Sequence, residues 1–133
     1  MIRMEGAEVL CNSLRTNRVL TSLDLSYNAL GSSAACTLGS ALIENNTLQE
    51  LNVSNNGIEE MGCFTLFVGV RENTSLQTIK VDGNPVGQQG GRCLINVATE
   101  MGSNLLVTAL SCDFQIHSRD FMFDINDQCG KTR

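Results

Sequence analysis

Apolar residues recur along the chain in one fixed pattern with a 28-residue period. The segment LTSLDLSYNAL (20–30) recurs as LQELNVSNNGI (48–58) and as LQTIKVDGNPV (76–86). All three fit L-x-x-L-x-L-x-x-N-x-L without a gap, with isoleucine or valine at some leucine positions. Because apolar and polar residues alternate within each copy, the pattern predicts a short half-buried strand that ends near the asparagine.

Between the copies, apolar residues four positions apart predict an amphipathic helix with its apolar stripe toward the strand layer. They form two rows at the same 28-residue spacing: Leu10, Leu38, Leu66, Leu94 and Leu14, Leu42, Val70, Ala98. The predicted fold is an α/β solenoid with a curved parallel sheet on its concave side and helices on its convex side.

The same period divides the chain. We expect repeats in residues 1–114 and a tail or C-terminal cap in residues 115–133. The repeats comprise a half repeat in residues 1–17, three that start near residues 20, 48 and 76, and a degraded one near residue 104. Since the chain opens in mid-repeat, we interpret it as a piece of a longer solenoid.

The degraded repeat leaves two registers open. Continuing the period from the third copy places Asn104, Val107, Ala109, Cys112 and Phe114 at motif positions. Leu106 and Leu110 then face outward. A register slipped by one position buries these two leucines and exposes Val107 and Ala109 instead.

One asparagine per repeat is predicted to pair the backbone groups that are buried where the chain leaves the strand, because its amide supplies both donors and an acceptor. Stacked residues at this position form a structural ladder: Asn28, Asn56, Asn84 and, more weakly, Cys112. Three N-x-S/T triplets begin at Asn45, Asn52 and Asn73. Without a signal peptide we interpret these triplets as chance products of an asparagine-rich repeat.

Polar residues between the core positions of each strand are the candidate partner-binding set on the concave face. They are Ser22, Asp24, Ser26, Tyr27, Glu50, Asn52, Ser54, Thr78, Lys80 and Asp82. Tyr27 is the only tyrosine, and large aromatic residues are typical interface anchors. The alternative is that these small polar residues only keep the face soluble.

Composition and charge restrict the classes of partner and the cellular location that we expect. The 133 residues carry 14 acidic and 9 basic side chains, a net charge of −5, which argues against nucleic acid as a partner. No apolar run is long enough to suggest a membrane span or a signal peptide, so we expect a cytoplasmic, reducing location and no membrane partner. The six cysteines are interpreted as buried, reduced thiols rather than a disulfide framework.

The sequence offers little catalytic chemistry. The lone His117 has no partner at ligand spacing. No nucleophile lies beside a base and an orienting group. We therefore expect no metal, no cofactor and no catalytic residue.

The 28-residue period, the L-x-x-L-x-L-x-x-N core and the repeated Leu-x-x-x-Leu helix resemble the ribonuclease-inhibitor-like subclass of leucine-rich repeat proteins. The resemblance implies a non-enzymatic scaffold that binds a protein partner through its concave face, with cytoskeletal or ciliary association among the family's settings. It also leaves open a regulator of a small GTPase acting in trans, since the family includes the Ran GTPase-activating protein. A third alternative is a purely structural segment, either monomeric or associated end to end through uncapped repeats.

Overall fold

The computed structural model describes residues 2–101 and 105–108, and within these ranges helices and strands alternate along the chain. The elements are α1 (Met4–Ser13), β1 (Ser22–Asp24), α2 (Gly31–Glu44), β2 (Glu50–Asn52), α3 (Glu60–Glu72), β3 (Thr78–Lys80), α4 (Gly87–Met101) and β4 (Leu106–Thr108). Each of the first three strands and the helix that follows it fall in one repeat unit. The predicted α/β leucine-rich repeat solenoid is confirmed.

The four strands form one parallel sheet in the order β1-β2-β3-β4. Each strand pairs with the next at an offset of one full repeat, as in Leu23 with Leu51, Leu51 with Ile79 and Ile79 with Val107. Val107 is fully buried, and Leu106 beside it is only half-buried. The fourth repeat therefore keeps the unslipped register. The remaining motif residues of that repeat lie outside the described residues: Asn104, Ala109, Leu110, Cys112 and Phe114.

The core lies between the sheet and the helices and is filled by the rows that the sequence predicts. Leu38, Leu66 and Leu94 are fully buried, and so are Leu42 and Val70 in the row one helical turn away. Each such side chain contributes about 1.5–3 kcal/mol by leaving water. In the first unit the burial is less complete, because Leu10 packs against the core while half-buried.

An asparagine ladder runs through the turns that follow the strands. The Asn56 side chain donates from Nδ2 to the carbonyl oxygens of Leu25 and Ser54, at 2.9 and 3.1 Å. Its Oδ1 accepts the backbone N–H groups of Asn28 and Leu30 from the preceding repeat, at 2.8 and 3.3 Å.

The neighbouring units repeat this arrangement on both sides. Asn84 Oδ1 accepts the N–H groups of Asn56 and Ile58, and Asn28 Oδ1 accepts the N–H of Ile2. The ladder therefore links each repeat to the one before it through directional bonds. Cys112, predicted to continue it, lies outside the described residues.

A second ladder runs where the helices end, shortly before each following strand. Asn45 donates from Nδ2 to the carbonyl oxygen of Leu14 at 2.9 Å and accepts the N–H of Leu48 on Oδ1 at 2.8 Å. Asn73 bonds in the same way with Leu42 and Leu76. Both asparagines are buried. The asparagines of these two N-x-S/T triplets therefore have structural roles within the repeat.

Helices α2 and α3 touch backbone to backbone through two glycines. A Cβ atom added to Gly69 would lie 2.0 Å from the carbonyl oxygen of Gly39, and one added to Gly39 would lie 2.4 Å from that of Thr65. Real Cβ atoms do not approach a backbone this closely, so neither position has room for a side chain. The 28-residue period places Phe67 and Val97 at the equivalent positions of α3 and α4.

We predict that Gly39→Ala destabilises the fold by about 1–3 kcal/mol, because the added methyl group forces α2 and α3 apart. Urea unfolding followed by circular dichroism measures the change. The matched control is Gly6→Ala in α1, where the new Cβ meets only Ile2 Cγ2 at 3.4 Å. The control should gain about 0.5–1 kcal/mol from helix propensity. An equal gain at both positions would contradict the close contact.

We predict that Asn56→Ala lowers the free energy of unfolding by about 3–5 kcal/mol, since four backbone groups lose their partner at once. Asn28→Ala should cost less, because Asn28 is only half-buried. Asn46→Ala changes an exposed asparagine and should stay within about 0.5 kcal/mol of the parent. Thermal and urea unfolding of the three variants test this order, and equal losses would show that the ladder bonds contribute nothing particular.

Candidate partner-binding surface

The strand face is the surface of the sheet that points away from the helices, formed by residues of β1, β2 and β3. Alternation along each strand sends the central residue into the core and the residues on either side outward. The outward side chains form two rows across the sheet, with a shallow depression of about 370 Å³ among them. The six outward residues are Ser22, Asp24, Glu50, Asn52, Thr78 and Lys80.

The other four predicted residues follow the strands and differ in exposure. Tyr27 is exposed, whereas Ser26 and Asp82 are half-buried. Ser54 is the exception, because only 6% of it is exposed. Its expected place on the exposed surface is therefore wrong. Ser54 lies between the equivalent residues Ser26 and Asp82 of the repeats on either side, and neighbours on both sides cover it.

The charged groups of the strand face are arranged by hydrogen bonds. Asp24 Oδ1 accepts the backbone N–H and the hydroxyl of Ser26, at 2.9 and 2.7 Å. These two bonds, assisted by the positive charge of Lys80, hold the pKa of Asp24 below its ordinary value. Ser22 donates to Glu50 across the first strand pair at 3.3 Å. The acidic groups thus lie toward β1 and β2, with Lys80 on β3.

Tyr27 has an unusual backbone conformation for an aromatic residue. Its φ is +59°, and the equivalent residues Asn55 and Gly83 have φ of +55° and +68°. The turn therefore takes the left-handed conformation in all three repeats, which glycine and asparagine tolerate better than tyrosine does. The side chain is 73% exposed, so burial in the core does not offset this cost.

A second depression, of about 450 Å³, lies beside Tyr27 where the strands end. Residues of the first two repeats line it, including Ala29, Gly31, Asn55 and Gly57. Gly31 has a φ of +70°, and a Cβ added there would meet no atom within 4 Å. We call this depression, together with Tyr27, the strand-exit site. An exposed ring next to an open backbone surface is suited to contact a protein.

The metal ligands and thiols of the described residues are arranged as follows. Among residues 2–101 and 105–108, no group of three histidine, cysteine or acidic side chains lies close enough to hold a metal ion. Cys11, Cys36, Cys63 and Cys93 are free thiols, each in one of the four helices. Burial, with a smaller contribution from Glu8, raises the pKa of Cys11 to about 11, so this thiol stays protonated at neutral pH. Within the same part of the chain, every helix is too short or too polar to cross a membrane.

Three features define a leucine-rich repeat protein of the ribonuclease-inhibitor-like type. The strands pair at an offset of one repeat, the helices lie on one side of the sheet, and an asparagine occupies each described turn that follows a strand. Residues 16–38 and 44–66 match the family model described as Leucine Rich repeat. These two stretches are leucine-rich repeats, and the fold is a leucine-rich repeat solenoid.

Two of the solved structures that share the fold illustrate the likeness. One is titled leiomodin-1 actin-binding site 2, with a TM-score of 0.80 and 17% sequence identity over 98% of this chain and 73% of that one. The other is the tropomodulin C-terminal domain of Caenorhabditis elegans, with a TM-score of 0.61 and 13% identity over 94% of this chain and 92% of that one. A comparison with curated proteins found no match. At these identities the likeness is one of fold.

We predict that Tyr27→Asn raises the free energy of unfolding by about 0.5–1 kcal/mol, because asparagine tolerates the left-handed conformation better. Tyr27→Phe keeps both the ring and the backbone cost and should leave stability unchanged. Urea unfolding of the two variants checks the difference. A loss of stability in Tyr27→Asn would mean that the ring itself supports the fold.

Proposed function

We propose that the chain is a non-enzymatic scaffold that binds a protein partner through the strand face and the strand-exit site. The observation that carries the proposal is Tyr27, which is held in a costly conformation and exposed to solvent. A residue that costs stability without filling the core is explained by a contact made outside the chain. The polar rows of β1, β2 and β3 supply the surrounding surface.

The charges of this surface suggest the chemistry of the partner. Asp24 and Glu50 are exposed on adjacent strands, and Lys80 lies one strand beyond. Asp24 is ionised throughout the physiological range, since its pKa is lowered. A partner that presents arginine or lysine to β1 and β2 and an acidic group to β3 complements this order of charges. Tyr27 would then anchor the edge of the contact.

Actin is the first partner to test. The likeness to the structure titled leiomodin-1 actin-binding site 2 extends over 98% of this chain, which favours actin over an arbitrary protein. The likeness concerns the fold, and the actin contact belongs to leiomodin-1. Cosedimentation measures binding to actin filaments, and titration measures binding to monomeric actin.

We predict that the double variant Asp24→Lys, Tyr27→Asn loses at least about tenfold in affinity for the partner, because it removes the anchor and reverses a charge of the strand face. The matched control is Glu5→Lys, Val9→Asn in α1. It makes the same kind of changes on the helix side, where Val9 is 72% exposed, close to the 73% of Tyr27. Actin binding is measured for the parent, the double variant and the control.

The outcomes separate the partner from the surface. If the parent does not bind actin, the actin proposal fails and the same three proteins serve as baits in a cell extract. A protein retained by the parent and the control but not by the double variant supports the strand face. Equal binding by all three proteins, with actin or with a captured partner, would rule out the strand face as the binding surface.

A further inference from the structure

A groove lies between α3 and α4 on the helix side of the solenoid, away from the strand face. Its volume is about 390 Å³. Phe64 and Val68 of α3 are 53% and 36% exposed along it, and Cys93 of α4 faces them half-buried. We call it the α3–α4 groove. Two exposed apolar side chains one helical turn apart are what a docking partner would cover.

The groove forms because the contact between α3 and α4 differs from the equivalent contact between α2 and α3. Between α2 and α3 the contact is Gly39 against Gly69, backbone to backbone. The equivalent residues between α3 and α4 are Phe67 and Val97, and both are buried along the groove. Their side chains keep the two helix backbones apart where the glycines let them meet. The opening therefore distinguishes this pair of helices from the pair before it.

The rim of the groove carries charge of both signs. Arg71 Nε lies 3.8 Å from Glu100 Oε2 across the groove and 3.7 Å from Glu72 Oε1. Arg92 is exposed on α4 and has no ion pair with the described residues. A matching occupant therefore combines large apolar side chains with an acidic group beside Arg92.

We propose that the occupant is a segment of the same chain, residues 119–127, with the sequence RDFMFDIND. It holds three consecutive large apolar residues, Phe121, Met122 and Phe123, between two aspartates, Asp120 and Asp124. It also begins with Arg119, which is opposite in charge to Glu100 on the rim. The apolar centre of the segment matches the apolar lining of the groove, and its flanking charges match the charges of the rim.

The connection is long enough for this docking. Phe121 lies seven positions after Phe114, the last motif residue expected in the fourth repeat, and extended chain of this length reaches about 23 Å. A helix layer is about 10–12 Å thick, so the reach exceeds the path from the sheet to the helix side. A tether of this length also gives the segment an effective concentration in the millimolar range, so that a weak contact suffices. This docking is independent of the proposed strand-face function.

The experiment uses the full chain with one substitution as a reporter. The protein has no tryptophan, so Phe123→Trp places a single fluorophore in the segment. We expect blue-shifted emission that does not change with protein concentration. Emission like that of free tryptophan would overturn the proposal. A blue shift that grows with concentration would also overturn it, because it would assign the groove to the segment of a second copy.

Groove variants locate the contact. In the Phe123→Trp background, Phe64→Asp should abolish the blue shift, whereas Met61→Asp should retain it. Met61 is the matched control, since it lies on the same helix, is 71% exposed and does not line the groove. A blue shift that survives Phe64→Asp would place the segment elsewhere, for example over the end of the core, and would refute the docking.

A charge exchange provides the second test and does not depend on burying a charge in the groove. Arg92→Glu should reduce the blue shift, and adding Asp124→Arg should restore it. Circular dichroism confirms that each variant is folded. If Arg92→Glu has no effect or Asp124→Arg fails to restore the shift, the proposed pairing is wrong. Actin binding is measured in parallel, and its loss or retention bears only on the strand face.

Discussion

The pairing of buried backbone groups by one asparagine amide per turn is the constraint on which the other features depend. Each described strand spans only three residues, too few to order a turn without help, and the backbone of the turn passes through a buried region. An unpaired N–H or C=O group there costs about 1–3 kcal/mol. Asn56 pairs four such groups, three of them in the preceding repeat. Local order in one repeat therefore requires the presence of its neighbour, which is the physical meaning of a solenoid.

The sequence predicted the fold and the turn ladder, but it did not predict the role of every residue that repeats. Strand register, the rows of core leucines and the asparagine position followed from the 28-residue period, because burial against the same kind of neighbour selects the same residue type each time. The bonding of Asn45 and Asn73 was not predicted, since a polar residue at a helix end has several uses that spacing cannot separate. The burial of Ser54 was missed for a related reason. Alternation gives the direction of a side chain and not the coverage by adjacent repeats.

Two features of the candidate sites could be recognised only from the three-dimensional structure. The positive φ of Tyr27 is invisible in the sequence until Asn55 and Gly83 are aligned with it and their shared conformation is seen. Similarly, Gly39 and Phe67 are both compatible with an apolar helix face, and only the path of the helices reveals that one closes a contact and the other opens a groove. Both sites arise where a residue departs from its equivalents in the other repeats. Such departures carry the information that the period itself cannot.

The two ladders also define where the chain tolerates changes of length. The same short interval separates each helix-end asparagine from the turn asparagine that follows it, as in Asn45 with Asn56 and Asn73 with Asn84. This interval holds the strand and its turn. A single insertion or deletion there would disconnect one ladder from the other and turn the strand's core residues outward. The longer interval from each turn asparagine to the next helix-end asparagine is helical for most of its length and faces solvent on one side. Added or lost helical turns in that stretch preserve the spacing between the paired asparagines, so divergence in repeat length should accumulate on the helix side and leave the strand side fixed in its dimensions.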